Sequence, residues 1–140
     1  EIENRKKELF TRFGVDKFAE VKIGDLSTGM KQKVSIVVSL VHNPDIIIFD
    51  EPTNGLDVLT ARTVTDYLEE LAKNGKTVII STHIMSLAQK LCQRVGIIIK
   101  GKMVICDTLE NILSQYGSND LEDVFFELYK KEEENNEARA

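Results

Sequence analysis

The sequence predicts an α/β fold in which helices flank a parallel sheet. Two short apolar runs carry that expectation, Ile46-Ile47-Ile48-Phe49 and Thr77-Val78-Ile79-Ile80-Ser81, each of strand length and rich in β-branched residues. Between them Ala61, Val64, Leu68 and Leu71 recur at helical spacing, so the order is strand, helix, strand. A third run, Val95-Gly96-Ile97-Ile98-Ile99, follows another short helical stretch. That order implies right-handed crossovers and parallel strands, with 46–49, 77–81 and 95–99 as neighbours. The apolar runs alternate too little for a half-wet strand and predict one covered on both faces.

The remaining elements follow from local signals. Ile2, Leu9, Phe10 and Phe13 lie among charges, which predicts an amphipathic helix over 2–13 that Gly14 ends. Residues 15–25 are a mixed connector. Val34, Val37, Val38 and Val41 fall at i, i+3, i+4 and i+7, so a helix over 28–42 should bury that face. Ser27 is placed to cap it and Asn43-Pro44 to stop it. The helix after residue 57 should end at Asn74-Gly75, and another spans about 84–92. Lys100-Gly101-Lys102 turns the third run into Met103-Val104-Ile105 and reads as a hairpin. Helices at 108–115 and 120–131 close the chain, and the polar stretch 130–140 should be a fraying helix or disordered.

Composition narrows the class. With 140 residues, 42% hydrophobic and 29% charged, the chain suits a single globular core. A net charge of −5 argues against a broad nucleic-acid footprint, which needs clustered Lys and Arg. Cys92 and Cys106 lack metal-ligand spacing and read as reduced structural thiols. No apolar run reaches the length of a membrane-spanning helix, so an attachment to a membrane would run through a partner. The first residue, Glu1, is not a methionine, which suggests a piece of a longer protein.

The chemistry gathers where the first strand ends. Asp50 and Glu51 emerge together at its carboxyl end, where open α/β sheets place ligands, and neither can be buried unpaired. A Mg²⁺ ion beside one and a water activated by the other would account for both. Solvated acids at a strand end are the plainer alternative. Ser27 to Met30 open a helix whose unpaired N–H groups could hold an anion, although a simple N-cap would look the same. Gly55-Leu56-Asp57 taken alone is a turn into a helix cap, and a lone His83 is more often structural than functional.

Taken together, Leu26-Ser27-Thr28-Gly29-Met30, Ile46 to Pro52, Gly55-Leu56-Asp57 and Ser81-Thr82-His83 resemble four ordered motifs of the ABC-type ATPase domain: signature, Walker B strand, D-loop and switch histidine. Thr28 and Met30 stand where the commonest signature has glycine and glutamine, a variant similar to that of bacterial exporter-type ATPases. The resemblance implies a P-loop NTPase-like sheet, ATP and Mg²⁺ as cofactors, and a dimer. Asp50 would hold Mg²⁺ through its water shell and Glu51 would act as general base. His83 would touch the γ-phosphate. Ser27, Thr28, Gly29 and Met30 would face the ATP of the opposite subunit, and Asp57 would bridge the two.

No Gly-x-x-x-x-Gly-Lys-[Ser/Thr] loop occurs, and neither the glutamine loop nor the adenine platform is found. The chain therefore resembles the carboxyl-terminal half of the domain. Residues 1–42 would belong to the helical signature subdomain, 43–107 to the ATPase core, and 108–140 to closing helices and a polar tail. The implied protein is a cytoplasmic ATPase subunit seated on transmembrane permease subunits and coupling hydrolysis to export, without nucleic acid as a partner. On this reading the half-domain alone is inactive. The alternatives are a non-transport ABC-type ATPase, which should show a heptad arm or ribosome-binding basic surface, and a non-catalytic interaction module derived from the same half.

Overall fold

The computed structural model describes residues 1–138, which divide into two compact units, Glu1–Thr82 and the segment from His83 onward. In the first unit, α1 (Ile2–Phe13) buries Leu9 and Phe13 and stops at Gly14, whose φ of 66° is left-handed and whose N–H reaches the carbonyls of Phe10 and Thr11. Phe13 meets the Tyr67 ring edge-on at 5.6 Å, and the Arg12 guanidinium lies 4.3 Å from the same ring. Two short 3-10 turns, Asp16–Phe18 and Ile23–Asp25, make up most of the connector.

α2 (Thr28–Leu40) starts as expected, with Ser27 Oγ accepting from the Met30 N–H at 3.2 Å. It ends two residues early, because Asn43 takes a left-handed φ of 55° before Pro44 and bonds its N–H to the Leu40 carbonyl. Its buried face is also rotated from the expected one. Ile36, Val37 and Leu40 enter the core, Val34 and Val41 pack partly against it, and Val38 is 60% exposed. Four valines at helical spacing suggested one stripe, but the larger Ile36 and Leu40 define the stripe that packs.

β1 (Ile46–Asp50) and β2 (Thr77–Ser81) pair in parallel, with Ile46 opposite Thr77, Ile48 opposite Ile79 and Asp50 opposite Ser81. Between them α3 (Val58–Lys73) starts on an Asp57 cap, Oδ1 accepting from the Thr60 N–H at 2.9 Å, and lies against β2 and α1. The core joins Ile47 and Phe49 to residues of all three helices, such as Leu9, Leu40 and Leu68. Contrary to expectation, the sheet is covered on one face only: Ile46, Ile48 and Ile79 are 62%, 72% and 51% exposed. The helices of this unit pack on the other face, that of Ile47 and Phe49.

In the second unit α4 (Met85–Leu91) leads to β3 (Arg94–Ile99), which pairs antiparallel with β4 (Lys102–Thr108). The hairpin is as expected; a parallel place for 95–99 beside 77–81 is not, because β3 and β4 form a sheet of their own. An apolar run specifies burial, not its neighbour. Lys100 and Gly101 both have positive φ, 49° and 78°, as a tight two-residue hairpin turn demands. α5 (Leu109–Tyr116) is capped by Thr108, and α6 (Leu121–Glu137) continues six residues past the expected stop at 131. Lys131 pairs with Glu127 one turn back at 2.6 Å, and Lys100 lies 3.5 Å from Glu133, modest supports for the start of the polar stretch. The rest of the expected tail, residues 139 and 140, lies outside the described residues. Val95, Ile97 and Ile99 bury against Ile112, Leu121, Val124 and Leu128. No helix among the described residues is long and apolar enough to cross a membrane.

Candidate functional site

The first unit holds seven of the eight residues singled out by sequence: Asp50 and Glu51 at the carboxyl end of β1, Ser27, Thr28, Gly29 and Met30 at the start of α2, and Asp57 at the start of α3. Successive strand residues face opposite sides of a sheet, so Asp50, the last residue of β1, shares the exposed face of Ile48, and Glu51 follows directly beyond the strand. Each carboxylate meets a hydroxyl from the end of β2. Ser81 Oγ donates to Asp50 Oδ1, and Thr82 Oγ1 donates to Glu51 Oε2 at 3.2 Å. The Glu51 N–H extends the ladder to the Ser81 carbonyl at 2.8 Å. In the sequence Ser81 and Thr82 stand out only as neighbours of His83; their role as carboxylate partners follows from a register in which both strands stop level.

Glu51 has a φ of 47°, in the left-handed region that favours glycine. A non-glycine residue held there costs about 1–3 kcal/mol and is retained where surrounding structure fixes it. Here the fixing comes from both sides: the Glu51 N–H is tied to β2, and its carbonyl accepts from the Asn54 N–H at 3.0 Å. Pro52 behind it is fully buried.

Ser27, Thr28, Gly29 and Met30 form the amino-terminal turn of α2, where the first N–H groups have no helical acceptor and the dipole is positive. Gly55 and Asp57 lie in the loop between Glu51 and α3. A Cβ on Gly29 would come within 2.9 Å of the Gly55 carbonyl oxygen, so only glycine lets the helix start approach that loop. Asp57 binds Thr60 twice, at the N–H and at the hydroxyl, and these bonds hold its carboxyl below the usual carboxylate range. His83 belongs to the second unit, where it is exposed.

Among the described residues there is no cluster of three or more His, Cys, Asp or Glu able to enclose a metal ion. The donor set at the end of β1 fits Mg²⁺ all the same, because that ion retains several waters and takes one or two carboxylates. Asp50 supplies one, exposed and steadied by the Ser81 hydroxyl.

A family model described as "AAA domain, putative AbiEii toxin, Type IV TA system" matches residues 2–88. Curated relatives are more specific. The ABC transporter ATP-binding protein NatA of Bacillus subtilis is 38% identical over 125 residues, which cover 89% of this chain and 51% of NatA. The linearmycin resistance ATP-binding protein LnrL of the same species is 34% identical, over 85% of this chain and 38% of that protein. A solved ATP binding subunit of an ABC transporter superposes with a TM-score of 0.85 at 31% identity, over 91% of this chain and 54% of the other. A dimeric ATP-binding cassette in a post-hydrolysis state, bound to ADP and Pi, superposes with a TM-score of 0.68 at 30% identity, over 76% of this chain and 46% of the other.

The fold and these matches place the chain among α/β folds of the P-loop NTPase type, and the chain belongs to the AAA-domain family of that model. Within it, the chain is part of an ABC-type ATP-binding domain, related to transporter ATP-binding proteins and spanning about half of NatA's length.

Proposed function

We propose that the whole protein is the ATP-hydrolysing subunit of an ABC transporter and couples hydrolysis to export. The observation that carries this reading is the pair Asp50 and Glu51 at one strand end, each bonded to its own hydroxyl where β2 ends. Glu51 is the general base: fixed at a positive φ and oriented by Thr82, it aims a carboxylate at the water that attacks the γ-phosphate. Asp50 would hold Mg²⁺, which when bound would supply charge neutralisation. Ser27, Thr28, Gly29 and Met30 face the ATP of a second ATPase subunit, Asp57 contacts that subunit, and His83 binds the γ-phosphate. The ADP and Pi in the dimeric cassette neighbour support the nucleotide and the dimer. Residues 1–42 serve as part of the helical subdomain, 43–107 as part of the ATPase core, and 108–140 as the closing segment. Membrane-embedded permease subunits hold the assembly at the cytoplasmic face; the Nod factor export ATP-binding protein I of Burkholderia thailandensis, 40% identical over 61% of this chain and 28% of that protein, supports export as the direction.

The test is Glu51→Gln in the full-length parent. Turnover should fall by about 10²–10⁴-fold while Mg-ATP binding persists, since loss of a general base has that size. An unchanged steady-state ATPase rate would remove Glu51 from the role. The 140-residue chain by itself should release no phosphate from Mg-ATP, because its sequence holds no phosphate-cradling Gly-rich loop.

A further inference from the structure

We propose that the first two turns of α2 clamp the loop 52–57 of their own chain, and that Gln32 and Lys33 are positioning residues that hold Glu51 through that loop. Three contacts define the clamp, spread along the loop. At its start, Gln32 Nε2 donates to the Pro52 carbonyl at 3.4 Å. In its middle, Gly29 lies so near the Gly55 carbonyl that a Cβ would stand 2.9 Å from the oxygen. At its end, Lys33 Nζ is 4.0 Å from Asp57 Oδ2.

Neither polar contact is short, and the backbone approach at Gly29 sets the fit. It requires Gly55 as well, whose φ of 72° turns the loop so that its carbonyl meets α2, and a Cβ on Gly55 would stand 3.4 Å from the Thr28 methyl. The Lys33 side chain is only 21% exposed, so its stem is spent on this contact rather than extended into water. Asp57 is held from the other side by Thr60, which makes it a fixed post and not a swinging partner.

The loop so held follows directly on Glu51, whose carbonyl accepts from the Asn54 N–H and whose backbone is kept in a left-handed conformation. A loop free to relax would let Glu51 return to an ordinary φ and re-aim its carboxylate. The clamp therefore links the anion-facing end of α2 to the carboxylate at the end of β1 within one chain. A displacement of Ser27 to Met30 reaches Glu51 directly, without passing through the core. The clamp itself rests on geometry alone; its effect on turnover rests on the proposed role of Glu51.

Amide hydrogen exchange of the chain, without nucleotide, separates the two. Gln32→Glu keeps the shape and removes the donor, and should speed exchange of the Asn54 and Leu56 amides by about three- to tenfold, the size of one net hydrogen bond. Gly29→Ala should do so at least as strongly. Lys33→Met should loosen Asp57, while Lys33→Arg should restore it. Protection in α1 and α3 should not change. Loop exchange within about twofold of the parent in both Gln32→Glu and Gly29→Ala would overturn the clamp; if Gly29→Ala unfolds α2 as a whole, Gln32→Glu alone decides. In the full-length ATPase, Gln32→Glu should then lower kcat with KM for ATP unchanged. A loosened loop with unaltered kcat would confine the clamp to structure and remove Gln32 as a positioning residue, whereas failure of Glu51→Gln would strike the functional reading and leave the exchange result standing.

Discussion

The two sheets of this chain are equal in strand number and opposite in what they ask of their surroundings. The antiparallel hairpin β3–β4 buries Val95, Ile97 and Ile99 under α5 and α6 and leaves Arg94, Gly96 and Ile98 in water. Antiparallel sheets tolerate one wet face. The parallel pair β1–β2 buries Ile47 and Phe49 but leaves Ile46, Ile48 and Ile79 bare, a contiguous apolar layer next to Asp50. Parallel sheets are found with both faces covered, so the layer is the kind of surface a larger domain closes. Stability in the first unit therefore comes from the helical side alone, whereas the second unit closes on itself.

The largest expected effect tests whether the second unit is indeed self-contained. Ile112 is 0% exposed at the centre of its cluster. Ile112→Asp places an uncompensated carboxyl there and should cost more than about 4 kcal/mol, unfolding β3, β4, α5 and α6. Amide exchange resolved along the chain should show α2 and β1 still protected. Loss of protection in both units together would break the contrast.

A pair of substitutions sharpens the difference between the two faces of β1–β2. Leu40, fully buried, should lose about 2–5 kcal/mol as Leu40→Ala. Ile48→Ala removes a similar volume from the exposed face, where Ile48 is 72% exposed, and should shift stability by no more than about 0.5 kcal/mol. Urea unfolding midpoints of the two variants read this directly. A comparable loss in Ile48→Ala would mean that its face is already covered.

Local signals carried most of the fold. The Ser27 cap, the Gly14 stop and the Lys100-Gly101 turn each depend on a few adjacent residues, and each stands where the sequence put it. What the sequence hid was pairing. Nothing within Val95-Gly96-Ile97-Ile98-Ile99 says whether its neighbour is 77–81 or 102–108, and nothing within Ile46 to Phe49 says which faces find cover. The site divides the same way. Asp50 and Glu51 were legible because two carboxylates after an apolar strand are chemically conspicuous. Ser81 and Thr82 became their partners only through strand register, and Gln32 and Lys33 only through the approach of α2 to Gly55. The rotated face of α2 shows the limit of periodicity when two apolar stripes overlap and side-chain size decides between them.

The smallest expected effect compares the helix caps of the two units under acid. α3 is capped by the Asp57 carboxylate and α5 by the Thr108 hydroxyl, which does not titrate. The Thr60 bonds lower the Asp57 pKa, so its cap contributes stability that is fully present above the ordinary Asp value of about 3.9 and is lost as pH falls through the lower folded value. At α5 Asp107 is also held low, by the Thr108 N–H and then by Asn111, so the comparison is made with Asp107→Asn in place. Acidification through and below pH about 4 should then raise amide exchange at the first turn of α3 and leave the first turn of α5 unchanged. Asp57→Asn should abolish the acid dependence while preserving the cap, because a side-chain amide oxygen accepts the Thr60 N–H as well. Equal acid sensitivity at both helix starts would show that the loss is global unfolding, and the two caps would no longer be distinguishable by charge.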